Sequence, residues 1–232
     1  MPDSNGKSSP AGEGLQARIA QSLADREAAY RLRYEVYVAE QGKPYPEADH
    51  ERRQLSDELD DVSTIIAVTG HDGRPVGTQR STWFEAGESM AELSGLFGLG
   101  RFEGFSPAET CVSSRVAVLP EFRLGAARDL LFNFMYECGV QTQTRLCFMT
   151  CAPILVRLFR RYGFREYDYP VSDPVVGALH RLVLVLDDLD YLSSIQSPFL
   201  VVAERYELAG IKRPSLTALI DQYKVTPKYA VG

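Results

Sequence analysis

A few short stretches carry residue types that do chemistry when a fold brings them together. "SSRVAV" (113–118) places one guanidinium, Arg115, beside two hydroxyls, Ser113 and Ser114, inside a β-rich run. A guanidinium there reads as a fork for a carboxylate or another anion, because its planar donors come in pairs. "LRYEVY" sets Arg33, Val36 and Tyr37 at i, i+3 and i+4, so a cation shares a helix face with apolar groups. "SDELDD" closes a polar, proline-bearing loop with acids, among them Asp57 and Asp60. "FRLGAA" (122–127) puts a single glycine where a strand turns into a helix. Such a turn bares backbone N–H groups at the positive end of a helix dipole and suits phosphate. It lacks the extra glycines of the Walker loop or the dinucleotide fingerprint, and an ordinary strand–loop–helix connection is the competing reading. A serine nucleophile would need a histidine base; His50, His71 and His180 all lie far from Ser113 and Ser114 in sequence and from one another. The same scatter argues against a dedicated metal site.

The elements that position these groups follow from patterning. Residues 15–24 fit strand or helix equally. Asp25 is a candidate cap for a helix through "REAAYRLRYEVYVAEQ" that stops at Gly42. After a loop (43–62), "STIIAVTG" and "RPVGTQRSTWF" flank a turn at Asp72-Gly73 and predict a hairpin. Residues 85–108 read as glycine-rich loop with a short helix near 92–97. "TCVSSRVAV" (110–118) is a strand, and 125–138 a helix burying Leu130, Leu131, Phe134, Met135 and Cys138. "RLCFMTC" (145–151) is a strand, and Pro153 suits the first turn of the helix "PILVRLFRRY". "FREYDY" and "HRLVLVLDD" predict a closing strand pair around a loop at 170–178. Two short helices follow Asp190, in "PFLVVAERYEL" and "RPSLTALIDQY". The order predicts an α/β fold: a mixed central sheet flanked by helices. Expected units are a disordered tail (1–14), one domain (15–190) and a short C-terminal helical extension (191–232).

Bulk properties narrow the function classes. The 232 residues, 45% apolar and 24% charged, suffice for one well-buried domain. No apolar run approaches the roughly 20 residues of a membrane span. The N-terminus lacks a signal-peptide pattern. Cys111, Cys138, Cys147 and Cys151 form no CxxC pair, which predicts core thiols in a reducing cytoplasm. A net charge of −6 argues against broad nucleic-acid binding.

"FRLGAA" resembles the acyl-donor loop of the GCN5-related N-acetyltransferase (GNAT) superfamily, Q/R-x-x-G-x-G/A. Gly125 and Ala127 match; Phe122 stands where a basic residue is expected, and Arg123 or Arg128 is available to supply the charge. "RRYGF" resembles that superfamily's last-helix ending, with Phe159 where a tyrosine acid is often found. The ordered set "LRYEVYVAEQG", "DELDD", "GTQRS", "SSRVAV", "CAPILVRLFRRYGF" and "LVLVLDDLD" resembles the acyl-homoserine-lactone synthases and the related N-acyl amino acid synthases. The resemblance implies a GNAT-fold N-acyltransferase that takes a medium- or long-chain fatty acyl group from acyl carrier protein and places it directly on a small-molecule amine. No tightly bound cofactor is implied; the donor is an acyl-phosphopantetheine.

Residue by residue, the resemblance assigns Arg33 and Tyr37 to the helix arginine and aromatic, Asp57 and Asp60 to the paired acids, Arg80 to the hairpin arginine and Arg115 to the strand arginine. Asp57 and Asp60, acting through water, are the candidate bases. Arg33, Tyr37, Arg80 and Ser114 are expected around the acceptor and Phe148 along the acyl chain. Backbone groups near Val116 and Val118 are expected at the thioester, and Arg123, Leu124, Gly125, Ala126, Ala127 and Arg128 at the phosphates. Lys43 replaces the tryptophan of the lactone synthases, and Val112 replaces their glutamate three residues before Arg115. The second change favours an amino acid over a homoserine lactone product. Glu109, nearby, would face the opposite side of a regular strand. Arg157, Arg160, Arg161 and Arg165, with Arg123 and Arg128, form a candidate patch for an acidic carrier; a plain solvated helix face is the competing reading. Other readings are a structural ion-pair network for the charged set, an acyl-CoA-dependent GNAT, a lactone synthase and a catalytically silent GNAT-fold binding protein.

Overall fold

A computed structural model describes residues 14–84, 88–102 and 105–206. The expected tail, the helix in "RPSLTALIDQY" and the end of "PFLVVAERYEL" lie outside the described residues. The ambiguous segment resolves as strand β1 (Gln16–Ile19), followed by α1 (Leu23–Arg33). Ser22, not Asp25, caps that helix: the extended Ser22 accepts from Asp25 N at 3.1 Å, and the Asp25 carboxylate answers the Ser22 N–H. Asp25 is therefore the reciprocal residue of a capping box. The helix continues as π-helical turns over Tyr34–Glu40, with Gln41 N bonded to Val36 O, and it ends at Gly42 with φ +63°.

The short pair β2 (Ala48–Asp49) and β3 (Gln54–Leu55) precedes the hairpin of β4 (Thr64–Thr69) and β5 (Pro75–Trp83). Next come α2 (Glu88–Phe97), longer than the sequence suggests, β6 (Thr110–Val118), α3 (Ala126–Gln141), β7 (Leu146–Cys151) and α4 (Val156–Tyr162). The chain then forms β8 (Arg165–Glu166), β9 (Val171–Asp173), β10 (Gly177–Val185), α5 (Leu189–Ser194) and α6 (Leu200–Arg205). The expected loop at 170–178 is instead largely the β9–β10 hairpin. A three-residue strand offers no alternation to read. "FREYDY" contributes only two strand residues because Tyr167 and Asp168 turn inward, Asp168 pairing with Arg101 and Arg181.

The main sheet runs β1-β4-β5-β6-β7-β10-β8, with β9 added to β10. Among the described residues its one parallel pair is β6 with β7; the other pairings are antiparallel. Alternation along β5 sends Gly77 toward Leu131 of α3 and Arg80 toward the partners of α1, so the two helices cover opposite faces. Between α3, α4 and the sheet lies the larger core, including Leu131, Phe132, Met135, Met149 and Leu184. A second core packs Phe97, Phe102, Val112, Phe148 and Tyr167. Phe199 stacks on Tyr136 at 4.5 Å, so the segment after β10 packs against α3. All four cysteines are buried and free. Among the described residues no helix is long and apolar enough to cross a membrane.

Candidate active site

Strand β6 leaves its parallel partner early. It pairs with β7 only through Thr110, Cys111 and Val112, and then the strands part. Against β5 the register steps from Arg80↔Ser114 to Thr78↔Ala117, so two steps on β5 oppose three on β6. Arg115 sits in that bulge with φ +52°, a left-handed conformation unusual for a residue with a side chain. Strain of this kind survives only where surrounding contacts over-determine it. A cleft of about 840 Å³ opens at the split.

The contacts that hold Arg115 form one cluster. Asp57 caps a short 3-10 turn by accepting from Leu59 N at 3.0 Å, which fixes its carboxylate. That carboxylate accepts from Arg115 Nη2 at 2.6 Å and also from Arg80 Nη1. Asp60 accepts from Arg33 Nη1 at 2.8 and 2.9 Å and from Asp57 N at 3.0 Å. Arg80 reaches Asp60 at 3.4 Å and donates from Nε to Ser114 Oγ at 3.0 Å. Burial alone would raise the Asp57 carboxyl, but the charges of Arg80 and Arg115 and their hydrogen bonds outweigh it and hold it below the usual range. Burial pulls the Arg33 guanidinium down against the attraction of Asp60.

An aromatic row joins this cluster to the outer loop. Arg115 Cζ lies 4.8 Å from the Tyr45 ring centre, Tyr45 meets Tyr37 edge-on at 5.7 Å, and Lys43 Nζ lies 5.0 Å from the Tyr37 ring centre. The Tyr37 hydroxyl donates to Val116 O at 2.5 Å, and burial pushes its pKa up. The π turns matter here: their longer period rotates Tyr37 away from Arg33, so one residue reaches β6 while the other meets Asp60.

At the other end, α3 begins at Gly125 with no side-chain cap, so its first N–H groups have no capping side chain. Arg123, Leu124 and Arg128 line the cleft; Gly125, Ala126 and Ala127 do not, and Ala127 is buried beneath them. Arg123 pairs with Glu40 at 2.7 Å and donates from Nε to Val118 O at 2.9 Å, while Arg128 pairs with Asp129 at 2.8 Å. The carbonyls of Val116 and Val118 are thus both engaged by side chains.

The middle of the cleft is apolar, lined by Leu93, Leu96, Phe97, Val112, Met149 and Leu158. Phe148, expected along the acyl chain, does not line it: strand alternation turns Phe148 into the second core against Phe97 and Phe102, while Met149 faces the cleft. Glu109 stays away, in a capping box with Ser106 before β6 begins. Ser113 lines the cleft with its buried Oγ unpartnered among the described residues. Phe159 lines the cleft, whereas the Tyr162 hydroxyl is tied to Asp129 and Arg128. Of the basic run, Arg165 is not part of an exposed face: it is buried, 2.9 Å from Asp188 and over the Tyr191 ring. Arg157, Arg160 and Arg161 are exposed, Arg160 beside Glu166. Sequence reading missed Tyr45, Glu47 and the β9–β10 tip as lining residues. Prolines beside Tyr45 and at 174 were the available signal. Among the described residues no cluster of metal-ligating groups occurs.

A mixed sheet flanked by helices, with a strand bulged away from its parallel neighbour, is the GNAT-like fold shared with solved acyltransferase structures. A family model of the N-acyl amino acid synthase FeeM matches residues 28–185, and the chain belongs to that family. The solved structure of FeeM, from uncultured soil microbes, aligns with TM-score 0.61 and 18% identity, covering 77% of this chain and 93% of that one. BjaI, a CoA-dependent acyl-homoserine lactone synthase solved with SAM and isopentyl-CoA, aligns with TM-score 0.61 and 18% identity over 90% and 97% of the two chains. The lactone synthase LasI gives 0.58 and 12%, covering 75% and 91%. At these identities the structural likeness is one of fold. No curated protein matches in sequence.

Proposed function

We propose that this N-acyltransferase moves a medium- or long-chain fatty acyl group from a phosphopantetheine thioester to the amine of an amino acid, in a ternary complex. The observation that carries the reading is the continuity of the cleft. It runs from Arg123, Leu124 and Arg128 around the start of α3, past apolar lining, to Arg80, Ser114 and Arg115. The donor phosphates belong at α3, Arg123 and Arg128, the pantetheine along β6, and the acyl chain against Leu93, Leu96, Phe97 and Val112. The acceptor belongs beside Tyr37, Arg80, Ser114 and Arg115, with Arg33 behind them. Its amine attacks the thioester carbonyl; a C–N bond forms, the C–S bond breaks, and the thiol leaves with a proton. Alignment of the two substrates supplies much of the acceleration.

Proton removal falls to Asp57 or Asp60 through water. The ion pairs make Asp57 a weak base, which suffices once the attacking nitrogen carries the acidic charge of the tetrahedral adduct. Acyl carrier protein is the favoured donor, because α4 borders the cleft through Leu158 and Phe159 and carries the exposed Arg157, Arg160 and Arg161. Acyl-CoA is the second reading, favoured by the likeness to the CoA-dependent BjaI. Mass spectrometry of the product formed from a mixed amino-acid pool, with either donor, tests the activity. An N-acyl amino acid is expected; an acyl-homoserine lactone, or no acylated amine, overturns the reading. Equal or better use of acyl-CoA overturns the carrier-protein preference. The protein is expected to act in the cytoplasm.

A further inference from the structure

Among the described residues five basic side chains line the cleft: Lys43, Arg80, Arg115, Arg123 and Arg128. Four already face carboxylates, Arg80 and Arg115 at Asp57, Arg123 at Glu40 and Arg128 at Asp129. Lys43 differs. Among the described residues no carboxylate comes within ion-pair distance of its Nζ, and Asp173 acts on it only at longer range. The Asp173 carboxylate is turned to its own hairpin, accepting from Val175 N and Val176 N at 2.8 Å. Lys43 is half-buried, and that burial lowers its ammonium from the ordinary value. A partly desolvated cation facing a ring, with no counter-charge, gains most from an anionic ligand.

We infer that Lys43 holds the carboxylate of the acceptor, which spans the Tyr37 and Tyr45 rings between Lys43 and Arg115. The inference rests on the amino-acid reading above and assigns the carboxylate to the lysine. Asp57 takes the Nε and Nη2 of Arg115 and the Nη1 of Arg80, and Asp60 takes the Nη1 of Arg33. The Nε and Nη2 of Arg33 find no partner among the described residues, but Arg33 is fully buried and does not line the cleft, so Lys43 is the cleft cation that faces no carboxylate there. Lys43 is then a specificity residue for acceptors bearing a carboxylate.

Steady-state acylation of each standard L-amino acid identifies the best acceptor, and its carboxamide is the matched probe. Lys43→Met is expected to raise KM for the amino acid on the order of ten- to a hundred-fold, the range of a lost charge-assisted bond, with kcat and the carboxamide KM changed by about two-fold or less. Lys43→Arg is expected to restore most of the lost affinity. Equal loss on acid and amide overturns the inference, as does a wild-type enzyme that uses both alike. If no acylated product forms, the transferase reading fails by itself. Lys43 is then judged by calorimetric titration of the same amino acids into wild-type and Lys43→Met protein. Binding that depends on Lys43 upholds the assignment; equal binding to both, or none, overturns it.

Discussion

The Tyr37 hydroxyl donates to the carbonyl of Val116, one residue past the left-handed Arg115, at 2.5 Å. A side chain from the π turns therefore pins the bulge from one side while Asp57 holds the Arg115 guanidinium at 2.6 Å from another. Backbone strain, helix irregularity and ion pair are parts of one device that keeps β6 away from β7.

Removing the guanidinium separates its charge from its backbone role. Arg115→Ala and Arg115→Gly are both expected to lower acyl transfer on the order of a hundred-fold, the scale of a lost electrostatic contact at an active site. Arg115→Gly removes the left-handed penalty of about 1 kcal/mol, so it is expected to be the more stable of the two in urea unfolding. Near-wild-type activity in both would remove Arg115 from the mechanism.

Arg33 and Asp60 are among the most buried charges, with side chains 0% and 2% exposed. Asp60→Asn leaves the guanidinium without its counter-charge, and a loss of about 3–5 kcal/mol is expected. Arg33→Met combined with Asp60→Leu should recover part of that loss. Equilibrium denaturation of the single and double variants reads both.

The Asp57 carboxyl is lowered in the fold. Its unfolded value is about 3.9, so its contribution is complete above that value and disappears as pH falls through the folded one. The urea midpoint of the wild type is expected to be flat near neutrality and to drop at pH below about 4. Asp57→Asn should start lower at neutral pH and fall less steeply. Parallel curves would mean that Asp57 is not held by its arginines.

Val112 lines the apolar middle of the cleft and is 3% exposed. Val112→Phe narrows that passage, and kcat/KM for the longest acyl donor is expected to fall on the order of ten-fold relative to a short one. A uniform loss over all chain lengths would place the acyl group elsewhere.

Burial pushes the Cys151 thiol, which also lines the cleft, up to about 12. It is a poor nucleophile near neutrality. Cys151→Ser is expected to keep acyl transfer within about three-fold and to form no acyl-enzyme by intact mass spectrometry. A covalent acyl adduct on the wild type that vanishes in the variant would contradict direct transfer.

Much of the framework was readable where a local rule and a tertiary role agree. β6 was placed at its observed bounds because its pattern is plain β, and Gly42 ended the helix because its backbone turns left-handed. The bulge was invisible: nothing in "SSRVAV" distinguishes an arginine in a regular strand from one forced to positive φ by Asp57. The π turns were equally hidden, since "YEVYVAE" satisfies an α pattern and only the contact from Tyr37 to Val116 uses the extra rotation. Asp57, Asp60, Arg33, Arg80 and Arg115 do converge, though their meeting needed residues far apart in sequence. Phe148 shows the other limit. Its neighbour Met149 has similar hydrophobicity, and only the pleat decides which of the two faces the cleft.

The parting of β6 and β7 divides the sheet into two blades, β1-β4-β5-β6 and β7-β10-β8, stitched only at Thr110, Cys111 and Val112. The cleft is thus a wedge with its vertex at the Val112↔Phe148 pairing. A substrate laid in the wedge would bridge both blades, and amide exchange along β6 and β7 is expected to slow together on occupancy.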